Sequence, residues 1–397
     1  MQPKNSTENQ TVSPDFTPLL NQVNPRKVVI VQRRLTHYRV PLFEQLRTRL
    51  IAEGVDLQLV YGDPTATERL KNDDGFIDWA IHAPCRYFLG GHICLQNFQQ
   101  QAQDADLVII TQENKLLYNL IALFIKRPKR LAFWGHGRNM QALKKQAILE
   151  LFKKRTTLQV DWWFAYTQLS KDLVEMQGFS SDKITDLENT IDTKSLAAQL
   201  ATVGNDELLS LRDEMGLATG RTALFIGSLY NEKRIDFLIE VAVLVASKLP
   251  GFCLIVVGDG PQRDLVEAAS KAHACINYVG SKNGIEKARL LCVADIMMNP
   301  GLVGLGILDS FLAGIPMVTT DCGLHSPEIA YLKNNENGLM TANTLETYVD
   351  AVTAVLDQDA LRTRLSQGAR DSAAHYTIEN MTENFVKGIL QCLELTA

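Results

Sequence analysis

Two glycine-bearing loops hold the residues of this 397-residue sequence best suited to chemistry. The first follows the apolar run Thr222–Ile226 and reads Gly227-Ser228-Leu229-Tyr230-Asn231-Glu232-Lys233-Arg234 before a helical pattern begins. Glycine lets an anion approach the backbone, a helix start offers unpaired N–H groups, and Lys233 and Arg234 add positive charge. The set suits a diphosphate; solvated charges at a helix start account for it equally well. The second loop is Asn299-Pro300-Gly301-Leu302-Val303-Gly304-Leu305-Gly306-Ile307-Leu308-Asp309. Its glycines end one strand and open a helix, again a phosphate cradle. Asp309 sits one turn in, where a carboxylate can hydrogen-bond both hydroxyls of a ribose. Such loops also serve close packing, and Asp309 could simply face solvent. A cradle, a lysine and an acid on successive strand ends specify more together than any one alone.

Other candidates are less specific. Asp104-Ala105-Asp106 has the D-x-D spacing of a metal pair, but it precedes an apolar strand with no third ligand in view. Solvated caps are the expectation there, and no metal is assigned. His37 either faces a cleft or closes its own loop by hydrogen bonds. Glu113 and Asn114 follow the run Leu107–Thr111 and either contact a ligand or cap a helix. The cysteines, seven in all, include no C-x-x-C pair and sit mostly in apolar contexts, as Cys253 does, so reduced core thiols are expected.

These loops need elements to position them. Apolar runs at Lys27–Gln32, Val55–Tyr61, Leu107–Thr111, Arg130–Trp134 and Trp162–Thr167 alternate with helical patterns from Pro41 and over Lys115–Lys126. The alternation restarts at Thr222–Ile226 and continues through Phe252–Val257, Ile276–Val279, Ile296–Asn299 and Pro316–Thr319. Strands alternating with helices fold into mostly parallel sheets covered on both faces. The expected fold is therefore α/β, with two doubly wound Rossmann-like domains over residues 26–190 and 207–375 and a linker at 191–206. Residues 1–25 read as a mobile tail and 376–397 as a helix able to cross back onto either domain. Open α/β sheets bind ligands beyond the carboxyl ends of their strands, so two facing sheets suit a two-substrate enzyme.

Composition limits the alternatives. A net charge of −5 and 46% apolar residues argue against disorder and against a nucleic-acid partner. No signal peptide is visible, and the stretch Leu116–Ile125 falls short of the ~20 residues a spanning helix needs. The expectation is a cytoplasmic protein, free or peripheral on the inner face of the cytoplasmic membrane.

On this frame the motifs resemble those of the family-4 retaining glycosyltransferases, which have two facing Rossmann-like domains, the GT-B architecture. The resemblance covers residues 26–375. FIGSLYNEKR is similar to the family's G-R-x-x-x-x-K segment, and VVGDGPQRDLVE looks like its V-G-x-G-P turn. ADIMMNPGLVGLGILDSFLAGIPMVTTD resembles its E-G-F-G-L-x-x-x-E-A-x-A-x-G-x-P-V-V signature, with Gly314, Pro316 and Val318 in register. ENTID, from Glu188 to Asp192, is similar to the N-G-x-D that begins the interdomain linker. The opening VVIVQRRLTHYRVPLFEQL resembles members that build bacterial surface polysaccharides.

The resemblance implies transfer of a sugar from a nucleotide-sugar donor to a lipid-linked or saccharide acceptor, with retention and no obligatory metal or cofactor. Gly227, Ser228, Lys233 and the amides of Leu305 and Gly306, beside Gly304, would grip the diphosphate. Asp309 would bind ribose, and the backbone at Val279 and Gly280 the base. Glu328 lies near the family's ribose region, or caps the helix after Pro327. His136, in Trp134-Gly135-His136-Gly137-Arg138, matches the catalytic first-domain histidine. Three departures stand out. The family's first signature glutamate falls on Gly301. Its phosphate-binding arginine is Ser228, with Arg234, Arg138 or Arg33 as replacements. Its glycine pair after the first strand is replaced by Arg33–Tyr38, leaving Arg33, His37, Glu113, Asn114 and Arg138 as acceptor-side candidates. A sugar-nucleotide epimerase of the same architecture and a nucleotide-binding relative without turnover remain as alternatives.

Charge is distributed unevenly. Lys126 to Arg155 holds ten basic residues and one acid, Glu150, so this segment sums to +9 and the remainder to −14. Lys144, Lys145, Lys153 and Lys154 on a basic helical pattern would attract an anionic membrane surface, each worth about 1 kcal/mol there. Cations near helix ends, which the helix dipole favours, account for the same residues.

Overall fold

A computed structural model describes residues 25–69, 73–91, 93–113, 116–137 and 155–395. The expected tail up to residue 24, Asn114, Arg138, Lys144, Lys145, Lys153 and Lys154 lie outside the described residues.

The first sheet starts from Arg26–Gln32 (β1), whose Val28–Val31 are all buried. Val28 and Ile30 enter the core on one face, Val29 and Val31 the core on the other. Burial on both faces is why the run is apolar without alternation. Val55–Tyr61 (β2), Ile81–His82 (β3), Leu107–Thr111 (β6), Leu131–Gly135 (β7), Trp162–Ala165 (β8) and Ile184–Asp186 (β9) complete it. The order is β3-β2-β1-β6-β7-β8-β9, every pairing parallel. Cys85–Phe88 (β4) and Ile93–Gln96 (β5) form a separate antiparallel hairpin that the sequence reading did not contain.

The second sheet comprises Thr222–Ile226 (β10), Cys253–Val257 (β11), Ile276–Gly280 (β12), Ile296–Met298 (β13), Met317–Thr320 (β14) and Gly338–Thr341 (β15). Its order is β12-β11-β10-β13-β14-β15, again wholly parallel. Each sheet thus reverses direction once, beside β1 in the first and beside β10 in the second. Crevices form at such reversals, between the loops that leave the two strands.

The longer helices in chain order are Val40–Ala52 (α1), Leu117–Phe124 (α2), Gln168–Glu175 (α3), Lys194–Thr202 (α4), Asn205–Glu214 (α5), Ile235–Lys248 (α6), Arg263–Ala272 (α7), Gly284–Val293 (α8), Gly306–Ala313 (α9), Leu345–Asp357 (α10), Asp359–His375 (α11) and Ile378–Glu394 (α12). Helix α12 crosses back and packs on α1. Its Phe385 stacks on Phe164 at 4.7 Å and meets Trp134 edge-on at 5.1 Å, so the last helix completes the first domain's core. The segment 191–206 is not an open linker. It contains α4 and the start of α5, whose Leu196, Leu200, Leu208 and Leu211 pack into the second domain's core. The polar composition belongs to the outer faces of these helices, which is why the segment read as a connector.

Candidate active site

The crevice of the second sheet is built by the loops after β10 and β13. The β10 loop presses against the β11 loop: a Cβ on Gly258 would lie 1.9 Å from the Gly227 carbonyl oxygen, so only glycine fits there. The chain then turns through Asn231–Lys233 and brings Lys233 inward. Its Nζ donates to the Leu302 carbonyl at 2.5 Å, tying the β10 loop to the β13 loop. Burial lowers the Lys233 pKa to about 8. Arg234 adopts left-handed backbone, φ 56°, at the start of α6, a conformation costing about 1–2 kcal/mol for a residue with a Cβ. Its guanidinium offsets this by donating to the Pro300 carbonyl, Thr320 Oγ1 and Asn343 Oδ1. Arg234 therefore braces the cradle from behind.

Gly301, the position of the missing glutamate, packs directly on this turn. A Cβ there would stand 2.3 Å from the Glu232 carbonyl oxygen and 2.5 Å from the Lys233 carbonyl carbon. The position is closed to any side chain as the loop stands. His325 holds the same loop: its Nδ1 accepts from the Val303 N–H at 3.1 Å, while Nε2 faces the Thr320 carbonyl at 2.7 Å. The sequence reading passed over His325, although it interrupts the glycine-bearing segment Gly323–Glu328. Beyond this loop, Gly304, Leu305 and Gly306 lead into α9, and the space beside Gly306 is open. Ser228 is exposed at the rim, and Val279 and Gly280 close β12 at the sheet's edge.

Asp309 is buried in the first turn of α9. The sequence offered it a ribose or solvent; in the structure its Oδ1 accepts from Lys287 Nζ of α8 at 2.7 Å. Burial pushes the Asp309 carboxyl above the usual carboxylate range, and Lys287 pulls it the other way.

In the first domain, His136 leaves the carboxyl end of β7. Its ring meets solvent yet is walled in by Tyr166, with centroids 4.3 Å apart. Crowding, and then the positive charge of Arg39, lower the His136 pKa to about 4, so the imidazole is neutral at physiological pH. Because the ring is still wetted, this describes a crowded cleft wall and not a sealed interior. Arg39 was not among the sequence candidates. Its guanidinium lies 5.4 Å from the Trp134 ring and 5.8 Å from that of Tyr166.

From Arg39 a buried chain of hydrogen bonds crosses between the domains. Arg39 Nη2 donates to Asn189 Oδ1 at 2.7 Å, and Asn189 Nδ2 donates to Glu328 Oε1 at 2.6 Å. The Tyr331 hydroxyl donates to the Asn189 carbonyl at 2.9 Å, and the Thr167 hydroxyl donates to the Pro327 carbonyl at 3.1 Å. Glu328 is thus paired with Asn189 across the seam between the domains. The carboxyl edge beyond β8 meets the loop beyond β14, which places His136 beside the interdomain seam.

The acceptor-side candidates divide. Arg33 and Glu113 meet at the reversal of the first sheet, 3.5 Å apart. Arg33 is otherwise held by Glu68, at 2.6 and 2.8 Å, and by the Tyr87 hydroxyl at 2.9 Å. It fills its own crevice, and among the described residues its partners all lie in the first domain. Partial burial disfavours ionised Glu68, but Arg33 and Thr65 hold its carboxyl well below the usual range. His37 is exposed and closes its loop onto the Asp73 carbonyl at 3.2 Å. Asp106 accepts from the Lys27 amide and from Lys129, as a cap does.

Comparison with known proteins follows this division. A family model described as glycosyl transferases group 1 matches residues 220–358, the second domain. An uncharacterized glycosyltransferase of Haemophilus influenzae is 25% identical over 217 residues, 52% of this chain and 60% of that one. A phosphatidyl-myo-inositol mannosyltransferase of Mycobacterium tuberculosis is 24% identical over 213 residues, 51% of this chain and 52% of its own length. The chain therefore spans about half the length of the curated relatives it matches. The crystal structure of Anabaena Alr3699/HepE in complex with UDP superposes with a TM-score of 0.66 at 14% identity, covering 92% of this chain and all of that one. The fold is the GT-B architecture, and the similarities support a glycosyltransferase.

Proposed function

We propose that the protein is a retaining glycosyltransferase that takes a nucleotide sugar on its second domain and passes the sugar to a lipid-linked or saccharide acceptor on its first. The observation that carries this reading is the second-sheet cradle, whose Gly227, Lys233, Gly304–Gly306 and Asp309 all fall within the stretch similar to group 1 glycosyltransferases. UDP in the superposed Anabaena structure supports a nucleoside diphosphate as the ligand class.

The chemistry follows from charge. Cleaving the donor leaves negative charge on the diphosphate. The Lys233 ammonium and the free amides at the start of α9 neutralise it, with no obligatory metal or cofactor. A neutral His136 can hydrogen-bond a sugar hydroxyl without drawing the diphosphate away from Lys233. The acceptor attacks on the leaving-group face, which retains configuration. Closure of Gly301 favours one alternative, a nucleotide binder without turnover. Calorimetry with UDP, GDP, ADP and dTDP, followed by assay of nucleotide release from the matching sugar nucleotides, separates the two. Binding without release selects the alternative, and no binding removes both.

The acceptor side also bears on location. Among the described residues no helix is long and apolar enough to cross a membrane. Phe124 and Ile125 are exposed at the end of α2 and run directly into Lys126–Arg130. An apolar edge followed by bases fits docking of a polysaccharide-building enzyme on the anionic inner face of the cytoplasmic membrane. Replacing Lys144, Lys145, Lys153 and Lys154 by glutamine should release the protein from anionic vesicles; unchanged co-sedimentation would remove the membrane reading.

A further inference from the structure

Asn189 is buried where the chain leaves the first domain, and its hydrogen bonds are shared between the two domains. Two reach the first: its N–H donates to the Tyr166 carbonyl at 2.7 Å, and its Oδ1 accepts from Arg39 Nη2 at 2.7 Å. Two reach the second: its Nδ2 donates to Glu328 Oε1 at 2.6 Å, and its carbonyl accepts from the Tyr331 hydroxyl at 2.9 Å. One residue therefore registers whether the domains are in contact. Its two first-domain partners both bear on His136. The Tyr166 ring walls the imidazole, with centroids 4.3 Å apart, and the Arg39 guanidinium lies 5.8 Å from that same ring.

Arg39 is a buried cation whose hydrogen-bond acceptors are all neutral: the Asn189 amide, the Thr190 carbonyl at 3.3 Å and the Met381 sulfur at 3.9 Å. The rings of Tyr38, Trp134 and Tyr166 offset part of the cost of its burial by cation–π attraction. The acid that answers it, Glu328, is buried on the other side of the Asn189 amide. Burial pushes the Glu328 carboxyl up, while Asn189 and Arg39 hold it down. The amide oxygen faces the cation and the amide N–H faces the acid, so each bond polarises the other. Moving the second domain away would take Glu328 and Tyr331 from Asn189 together. The amide would then lose the partners that fix its orientation, and Arg39 the acceptor aligned with it.

We propose that Arg39 is a positioning residue that, through Asn189, makes the placement of His136 depend on contact between the domains. The histidine is correctly set only while the seam is joined at Glu328 and Tyr331. This rests on the transferase reading and adds to it the residue that couples the domains to the transfer step.

The test compares Arg39→Met, Arg39→Lys and Asn189→Leu with wild type in the full chain. One readout is the His136 titration by NMR, its signal identified by loss in His136→Gln. The other is kcat for nucleotide release from the sugar nucleotide whose diphosphate binds best. Glu113, the other charge that His136 feels, stays in place in every variant. Arg39→Met should lower kcat by about 10–100-fold, the scale of a misplaced reacting group, with nucleotide affinity unchanged. It should also raise the His136 midpoint from about 4 toward the ordinary histidine value, because a neighbouring positive charge has gone. Arg39→Lys restores the charge and should return the midpoint and part of the rate. Asn189→Leu keeps Arg39 but cuts its path to the second domain, so kcat should fall while the midpoint stays low. Where Asn189→Leu does not fold, Tyr331→Phe removes one bond of the same path and should lower kcat by a smaller factor. Unchanged kcat and midpoint in Arg39→Met would make the arginine a packing residue and overturn the proposal. Wild-type kcat in folded Asn189→Leu, or in Tyr331→Phe standing in for it, would show that the seam does not reach His136, which overturns it too. If wild type binds nucleotide but releases none, the transferase reading fails by itself. A midpoint that then moves in Arg39→Met and not in Arg39→Lys still upholds the tie between Arg39 and the histidine, and an unmoved one overturns it.

Discussion

The two sheets reverse at the same kind of place, yet the crevices they form are opposites. In the first, Arg33 after β1 is bonded to Glu68 and Tyr87 and faces Glu113 after β6. In the second, the loops after β10 and β13 meet through glycine contacts and one buried lysine, and space stays open beside Gly306. Filling a crevice with an ion pair stabilises it but leaves little for a ligand. Lining one with glycine and a single buried cation leaves donors for an anion. One topology therefore yields one crevice filled by its own ion pairs and one left open, and on the proposed reading the open one binds the donor while the first domain's chemistry lies along its sheet edge at His136.

Four substitutions would break or sharpen that contrast. The largest effect is expected at His136. His136→Ala should lower transfer by about 10²–10³-fold, the scale of losing one well-placed hydrogen-bonding group, with donor affinity nearly unchanged. Transfer at wild-type rate would make the histidine structural. Next is Gly301→Ala, whose methyl must displace the Glu232–Lys233 turn. Overpacking of this kind costs about 1–3 kcal/mol, and nucleotide affinity should fall along with the melting temperature. Unchanged values of both would mean the loop yields freely.

Lys233→Ala should weaken nucleoside diphosphate binding by about 10–100-fold, the range for a hydrogen bond to a charged group. The pH dependence sharpens this prediction. Binding uses the protonated lysine, so affinity should decline as pH rises through about 8, and Lys233→Arg should flatten the decline. Equal affinity at pH 6.5 and 9 would show that Lys233 does not touch phosphate. The smallest functional effect belongs to Arg33→Met, which should leave nucleotide binding intact and destabilise the first domain. Because Glu68 has a depressed pKa when folded, its stabilisation is full above the unfolded value of about 4.3 and is lost as pH falls. The variant should therefore show a weaker acid dependence of melting below that pH. An undiminished acid dependence would mean that Glu68 draws its stabilisation from elsewhere.

How much was legible in the sequence depended on how local each cause was. Val28–Val31, Thr222–Ile226 and Cys253–Val257 read as buried parallel strands because both their faces must be apolar. The hairpin Cys85–Phe88 with Ile93–Gln96 was invisible, because its strands are short and half-exposed. Helix α4 passed for a linker because its half-buried leucines are few among polar neighbours. At the candidate site, Gly227, Lys233 and Gly304–Gly306 stood out through their spacing along the chain, and His136 only through the family resemblance. Arg39, His325 and Lys287 did not, since each acts on a partner in another element, Asn189, Val303 and Asp309, which only packing brings within reach.

The sequence by itself determined the strand and helix alternation, and with it two parallel sheets whose loops converge at their carboxyl edges. It also determined which loops carry glycine, base and acid. Tertiary structure alone decided which charges are free. Arg33 and Arg234 look alike as strand-end arginines, but one is spent on Glu68 and the other on Pro300, Thr320 and Asn343. Gly301 looks like a lost glutamate, and only the 2.3 Å approach of the Glu232 carbonyl shows that no side chain fits there. Spacing along a chain fixes which edge a residue occupies. Pairing and clearance depend on segments tens of residues to about a hundred away, and those are set only when the sheets pack.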